Sequence, residues 1–218
     1  MPPRTQHVAR VITTTIPSHG GVLDVIIDDV FVVFVDLDDV ATPSRSMLRR
    51  VMNGCASLCV SGYSHAEITF LVKVHSGRRQ GELIYLAFAV TSGESLHMEV
   101  RTYGRGYHQM ARLGISRAAA ERLYDACVET IGRPFNAHGF WRNFVVPHAL
   151  RYDAKGTAYF CSEHVMHMLR QTRVVDFAAF GREPYETTPQ QLCAYLSSIG
   201  AFNGVRANVH VSADDLLR

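Results

Sequence analysis

The chain has 218 residues, of which 47% are hydrophobic and 19% are charged, and its formal net charge at neutral pH is +2. A chain of this length can bury one hydrophobic core, and its composition is that of a globular protein and not of a disordered one. The small net charge and the lack of a clustered Lys/Arg tract argue against a nucleic-acid-binding surface, so we expect no nucleic-acid partner.

The sequence shows neither a targeting signal nor a membrane span. Its N-terminus, MPPRTQHVAR, is polar and lacks the apolar core of a secretory signal peptide. Apolar runs such as residues 30–35 are far shorter than the roughly 20 residues that cross a bilayer. Five cysteines at irregular spacing do not predict a disulfide framework. We therefore expect a reducing, cytoplasmic setting, no secretion through a signal peptide and no integral membrane segment.

The first half of the chain is predicted to consist mainly of β-strands. Val, Ile, Phe and Thr are concentrated in five segments: residues 11–16, 22–35, 65–74, 82–90 and 96–103. A short helical pattern over residues 42–52 follows the second segment. Turn-like residues separate the last three segments, which indicates an antiparallel meander.

The second half of the chain is predicted to be mostly helical, with helices over residues 116–131, 161–171 and 188–200. Ser116 can cap the first helix, and Thr188 with Gln191 three residues later forms a capping-box pattern for the third. Residues 136–147 are predicted to be a loop that either lines a substrate cleft or packs on the core. Strands followed by helices predict a single α+β domain over residues 1–218, with an antiparallel sheet packed against helices.

Cys161 stands out as a candidate nucleophile. It lies in the segment YFCSEH (residues 159–164), where apolar sequence passes into a predicted helix. Backbone N–H groups and the positive end of a helix favour the thiolate, which is the reactive form of cysteine. The same N–H groups could help to bind an oxyanion. The alternative is a buried, inert cysteine at the start of a helix.

A thiol nucleophile needs a base within hydrogen-bonding distance. His65 lies in GYSHAEI (residues 62–68), at the start of a predicted strand that would hold it rigidly; taken alone, it could also be a surface or core histidine. His164 lies three residues after Cys161 on the same predicted helix, a spacing that brings two side chains onto one face. We rank His164 below His65 because this spacing more often gives a packing neighbour than a base.

Together these segments resemble the circularly permuted NlpC-type branch of the papain-like cysteine hydrolases, in which the His strand precedes the Cys helix. Tyr-Ser-His at 63–65 and Phe-Cys-Ser-Glu at 160–163 carry the resemblance. Gly-Arg-Pro-Phe-Asn at 132–136 is similar to the family's Gly-x-Pro-aromatic-Asp/Asn segment, and Thr-Pro-Gln-Gln-Leu at 188–192 is similar to its Thr-Pro-x-x-Leu helix start. The resemblance covers about residues 28–196. Within the family, these segments are similar to versions found in large DNA viruses.

The resemblance implies a permuted papain-like α+β fold with Cys161 as nucleophile and His65 as base. It also implies a third polar residue, on a strand after the histidine, that orients the imidazole. Glu99 is the first choice for this third residue, because it lies in a predicted strand and resembles an acidic position of some relatives. A solvent-exposed strand carboxylate is the alternative interpretation of Glu99.

Other residues compete for the third position. Glu67 shares the face of His65, because side chains alternate along a strand with period two. Glu94 and His97 are further candidates on or near the strand of Glu99. Glu163 belongs to the cysteine motif, but it could equally stabilise the N-terminus of the helix through its charge.

The resemblance implies acyl transfer, in which a thiolate attacks an amide or ester carbonyl and water releases the acyl-enzyme. The expected substrate is a peptide, isopeptide or lipid acyl compound, and no metal or organic cofactor is expected. The expected location is the cytoplasm, or the host cytoplasm or virion if the protein is viral. Protein assembly partners are left open.

Three alternatives to a peptidase or amidase are kept. Cys-Ser-Glu-His at 161–164 is similar to the Cys-Glu-His signature of lecithin:retinol acyltransferase-like enzymes, with Ser inserted. The fold could instead serve as a structural or virion-associated component without essential catalysis. Zinc could bind His65, Cys161 and a carboxylate, but this spacing fits no common zinc pattern, and Cys55 and Cys59 are interpreted as buried thiols.

Overall fold

The computed structural model describes residues 9–16, 21–36, 63–90, 94–103, 108–144 and 157–206. The strands in these ranges are β1 (Ile12–Ile16), β2 (Gly21–Asp36), β3 (Tyr63–Val74), β4 (Leu83–Ala89), β5 (His97–Arg101), β6 (His108–Leu113) and β7 (Phe202–Arg206). The helices are α1 (Arg117–Val128), α2 (Ala137–Phe144), α3 (Cys161–Gln171) and α4 (Pro189–Ser198), with a 3-10 turn at Pro184–Glu186. The helix predicted over residues 42–52 lies outside the described residues.

The strands form one antiparallel sheet in the order β5-β4-β3-β2-β6-β7, and β1 pairs with the first residues of β2. The long strand β2 lies at its centre and pairs with β3 on one side and with β6 on the other. Strands β3, β4 and β5 form the antiparallel meander predicted from the sequence. The fold is thus α+β with an open antiparallel sheet, as expected.

A β-bulge interrupts the pairing of β2 with β3 beside His65. Val35 of β2 pairs with His65. The next pair joins Asp36 and Tyr63, so Ser64 is an extra residue of β3. Because a bulge re-aims the side chains around it, Tyr63 packs against the main core while His65 lies on the opposite face of the strand.

The helices pack on one face of the sheet and enclose the main core. Phe70 and Phe88 make edge-to-face contacts with the ring of Tyr124 in α1, at centroid distances of 5.2 and 5.5 Å. A second, smaller cluster occupies the opposite face and consists of Phe31, Val33, Leu71, Tyr85, Tyr103 and Met110. None of the described helices is long and apolar enough to cross a membrane.

The predicted helix caps are confirmed at two helices. Ser116 Oγ accepts a hydrogen bond from the backbone N–H of Ala119 at 3.3 Å, at the start of α1. Thr188 Oγ1 accepts from the N–H of Gln191 at 3.2 Å, and Gln191 Oε1 accepts from the N–H of Thr188 at 3.1 Å. These reciprocal bonds are the capping box that the sequence predicts for α4.

The sequence patterns do not predict β6, β7 or α2. Strand β6 has the sequence HQMARL, without a strong alternation of apolar and polar residues, and it is a strand because β2 offers it an edge for pairing. Helix α2 replaces the first part of the predicted loop over 136–147. A capping signal was present at its start, since Asn136 Oδ1 accepts from the N–H of Gly139 at 2.8 Å.

The two leucines of β4 provide a matched test of this core. Leu86 is fully buried, whereas Leu83 on the same strand is 46% exposed. We expect Leu86→Ala to lower the free energy of unfolding by about 2–5 kcal/mol, because the substitution leaves a cavity in the core. Leu83→Ala should cost about 0.5 kcal/mol. Urea denaturation of both variants measures the difference, and equal losses would contradict the described orientation of β4.

Candidate active site

The first turn of α3 meets the first residues of β3. Cys161 is the first residue of α3 and is only 5% exposed. Its Sγ accepts hydrogen bonds from the backbone N–H groups of Ala66 and Ser162, and its side chain also hydrogen-bonds the imidazole of His65. Two backbone donors and an imidazole around a single sulfur atom are surroundings that favour the thiolate.

The imidazole of His65 bridges Cys161 and Glu67. Its Nε2 lies 3.3 Å from Oε2 of Glu67, and the ring also hydrogen-bonds the side chain of Cys161. Burial acts to lower the pKa of His65, but the hydrogen bonds to these two acidic groups and their negative charges outweigh it and raise the pKa to about 10. A histidine with this pKa is protonated at neutral pH.

The same contacts act on the thiol of Cys161. Burial by itself would raise its pKa, but the hydrogen bond and positive charge of His65, together with the two backbone N–H groups, hold the pKa below its ordinary value. Cys127 is buried as well, and there burial raises the pKa of the thiol. The contact with His65 therefore favours the thiolate form of Cys161 and the imidazolium form of His65.

Glu67 lies on the same face of β3 as His65 and is 1% exposed. Tyr103 Oη donates to Glu67 Oε1 at 2.6 Å, and Arg101 Nη2 lies 3.5 Å from Oε2. Because the hydroxyl hydrogen of Tyr103 goes to Glu67, Thr69 Oγ1 donates to Tyr103 Oη at 2.6 Å. Burial acts to raise the pKa of Glu67, but the hydrogen bond from His65 and the charge of Arg101 lower it to about 2.

The other candidates for the third residue lie on or before β5, which β4 separates from β3. Glu99 Oε1 is 2.8 Å from Arg101 Nη2 and 3.3 Å from His97 Nε2. Glu94 precedes the strand. The structure therefore brings the carboxylate of Glu67, and not that of Glu99, into contact with the imidazole of the site.

Residues 132–136 align the chain that enters α3. Tyr159 N–H donates to the carbonyl oxygen of Pro134 at 3.1 Å, and Asn136 N–H donates to that of Tyr159 at 2.9 Å. On its other side the segment shares two backbone hydrogen bonds with Leu96, each 2.8 Å long. This motif therefore connects the residues beside β5 to the residues that lead into α3.

Glu163, in the first turn of α3, also contacts this segment. It is 3% exposed, and its Oε2 accepts hydrogen bonds from Asn136 Nδ2 at 2.8 Å and from the N–H of Phe160 at 3.1 Å. Burial raises the pKa of Glu163 to about 7, although both hydrogen bonds oppose the shift. These contacts make Glu163 a cap for the helix that carries Cys161.

The start of α4 is bonded to both halves of the site. Ser162 Oγ donates to the carbonyl oxygen of Thr187 at 2.6 Å. The N–H of Tyr63 donates to Gln190 Oε1 at 3.3 Å. The chain at the start of α4 is thus bonded to the helix that carries Cys161 and to the strand that carries His65.

His164 is a buried packing residue on the far side of α3. It is 1% exposed, and its Nε2 lies 3.1 Å from Thr130 Oγ1. The Thr130 hydroxyl donates to the carbonyl oxygen of Cys127 at 2.6 Å, so its oxygen accepts from His164, and Nε2 carries the proton of the neutral ring. Burial lowers the pKa of His164 to about 3, which makes it a neutral hydrogen-bond donor.

A pocket of about 540 Å³ lies at the opposite end of α3 from Cys161, and its lining includes Arg170, Arg173 and Phe177. Arg170 pairs with Glu183 at 2.8 Å. Cations at the C-terminus of a helix also interact favourably with its dipole. Arg170 and Arg173 therefore have an explanation that does not involve Cys161.

The described residues contain no group of three or more His, Cys, Asp or Glu side chains placed to hold a metal ion. Cys55 and Cys59 lie outside those residues. Comparison of the chain with models of protein families, with curated proteins and with solved structures found no match. The functional interpretation therefore depends on the geometry and chemistry of the site itself.

A substitution at Gly139 tests the hydrogen bonds that support the helix of Cys161. A Cβ atom at Gly139 would lie 2.5 Å from Asn136 Nδ2, so Gly139→Ala should push Asn136 away from Glu163. Alanine normally stabilises a helix by about 0.5–1 kcal/mol relative to glycine. Here we expect the opposite, a loss of about 1–2 kcal/mol in the free energy of unfolding, because a buried carboxyl group loses a hydrogen bond. Urea denaturation measures this change.

Asn136→Ala supplies the control for this prediction. It removes the side chain with which the new Cβ collides, so adding Gly139→Ala in that background should be neutral or stabilising. An equal loss in both backgrounds would show that Asn136 is not the group displaced.

Proposed function

We propose that this protein is a thiol hydrolase of the cysteine peptidase or amidase type, with Cys161 as nucleophile and His65 as its base. The observation that carries the proposal is the contact between these two side chains, at the N-terminus of a helix and in a nearly buried position. A low thiol pKa together with a paired imidazole is the combination that nucleophilic catalysis by cysteine requires.

In the proposed reaction the thiolate of Cys161 attacks the carbonyl carbon of an amide or ester, and the carbonyl oxygen becomes an oxyanion. Cys161 occupies the first helical position, so its backbone N–H has no intrahelical acceptor and can donate to that oxyanion. The imidazolium of His65 gives its proton to the leaving amine or alcohol. Neutral His65 then takes a proton from water, which attacks the thioester, and the acid product leaves with the thiolate restored.

We assign the orientation of the imidazole to Glu67 and not to Glu99. Glu67 is in contact with His65 Nε2, whereas Glu99 is in contact with Arg101 and His97. An ionised carboxylate at this position holds one ring orientation and stabilises the imidazolium. Glu67 acts through His65, so it is a positioning residue.

We further propose that the fold is the permuted papain-like arrangement of the NlpC type. Its support is the chain order of the site, with the His strand β3 preceding the Cys helix α3, and the packing of α3 on β3. The shorter motifs at 132–136 and 188–192 both contact this pair of elements, through the bond of Asn136 to Glu163 of α3 and that of Gln190 to Tyr63 of β3. The proposed substrates are peptide or isopeptide amides, or lipid esters and amides.

The pH dependence of Cys161 alkylation by iodoacetamide, followed by mass spectrometry, tests the proposal. We expect Cys161 to react at about pH 6, where ordinary thiols are protonated. Cys127 and Cys193 are internal references in the same sample, because burial raises the pKa of both. His65→Ala should slow alkylation of Cys161 at this pH by about tenfold or more, since one pKa unit changes the thiolate fraction tenfold. Glu67→Gln should give a smaller loss.

His75→Ala is the matched control, because His75 is an exposed histidine just after β3. It should leave the profile of Cys161 unchanged. A wild-type Cys161 that reacts like a thiol of the unfolded chain, with no effect of His65→Ala, would replace this proposal with a non-catalytic role in an assembly. Acyl release from phospholipid vesicles, without cleavage of peptides, would identify the lipid-acting alternative.

A further inference from the structure

We propose that Arg101 is a positioning residue of this site, which keeps the carboxylate of Glu67 ionised and directed at His65 from two strands away. The inference rests on the proposed function, because it concerns the state of the Cys161–His65–Glu67 group. It adds a residue that the sequence motifs do not indicate, since Arg101 lies at the end of β5, far from both catalytic segments in the chain.

The first argument is the balance of charge. A thiolate at Cys161, an imidazolium at His65 and a carboxylate at Glu67 together carry one net negative charge in a nearly buried place. A buried charge without an opposite partner is strongly disfavoured. Arg101 Nη2 lies 3.5 Å from Glu67 Oε2, and its positive charge offsets this excess.

The second argument is that Arg101 is itself held in place. Its Nη2 lies 2.8 Å from Glu99 Oε1, and Nε2 of His97 lies 3.3 Å from the same oxygen. The Nε of Arg101 is buried and has no hydrogen-bond partner among the described residues. The two carboxylates of Glu67 and Glu99 therefore fix the orientation of the guanidinium.

The third argument is that small side chains on β4 leave space for the guanidinium to reach across this strand. Ala87 pairs with Thr69 of β3 on one side and with Glu99 of β5 on the other, so these three residues share one face of the sheet. Ala89 is the next residue of β4 on that face, and both alanines are buried. Small side chains at these two positions leave room for Arg101 to span from β5 to β3.

The expected sign follows from electrostatics. The groups that face Glu67 are His65 and Tyr103 besides Arg101, and Glu99 adds a more distant negative charge. Removing the positive charge of Arg101 makes Glu67 harder to ionise and frees its carboxylate to turn away from His65, so the pKa of Glu67 should rise. The imidazolium of His65 then loses support, and the pKa of Cys161 should rise with it. The acid limb of Cys161 alkylation should therefore move to higher pH.

Arg101→Met tests this inference with two readouts. In a Cys161→Ala background, which contains no reactive thiol at the site, carboxyl ¹³C NMR should show the pKa of Glu67 rising by about one unit or more. With Cys161 present, alkylation at about pH 6 should slow roughly three- to tenfold. Adding Arg101→Met to Glu67→Gln should change the alkylation profile much less, because the residue through which Arg101 acts is then neutral.

Arg112→Met is the matched control. Arg112 also pairs with a carboxylate of the sheet, Asp29, at 2.6 Å. It should change neither readout. Should Arg101→Met fail to fold, Arg101→Gln removes the same positive charge with a polar side chain, and it should shift both readouts in the same direction.

The outcomes separate the two proposals. An ordinary thiol profile for wild-type Cys161 contradicts the hydrolase, while the NMR titration still decides whether Arg101 controls Glu67. An unchanged pKa of Glu67 in both Arg101→Met and Arg101→Gln overturns the inference about Arg101, whatever the alkylation shows. An equal alkylation shift in the presence and absence of the Glu67 carboxylate overturns it as well.

Discussion

Charged groups that are buried away from water need opposite charges close to them, and this constraint governs the arrangement around Cys161. The sulfur, the imidazole of His65 and the carboxylate of Glu67 are all largely buried, so each depends on the next for its ionised form. Arg101 and Glu99 continue the alternation of charge across the sheet to the exposed edge of β5. The site is therefore a series of paired charges that begins at Cys161, the first residue of α3.

These charge pairs form only if their side chains are held within hydrogen-bonding distance of one another. Three sets of hydrogen bonds provide this support, and each comes from a different part of the sequence. Residues 132–136 hold the approach to α3, Glu163 caps its first turn, and the start of α4 is bonded to both Ser162 and Tyr63. The bulge at Ser64 then turns His65 away from the core face that Tyr63 occupies.

The same architecture explains why similar residues nearby differ in their chemistry. His164 is only three residues from Cys161, but it points into the core, where burial keeps it neutral and Thr130 Oγ1 accepts a hydrogen bond from it. Cys127 is buried against apolar neighbours, and its thiol is correspondingly hard to ionise. The pKa of each of these groups is thus set by its surroundings and partners and not by its residue type alone.

The sequence by itself determined the elements that have a clear hydrophobic periodicity or a capping motif, because those signals are local. Examples are the meander of β3–β5 and the capping box at the start of α4. It also singled out Cys161 and His65 through short motifs in a shared order. Only the tertiary structure decided that Glu67 contacts the histidine, because the choice between Glu67 and Glu99 depends on which strands are neighbours. Strand β6 and the reach of Arg101 over β4 likewise depend on pairings between distant segments, which no local pattern records.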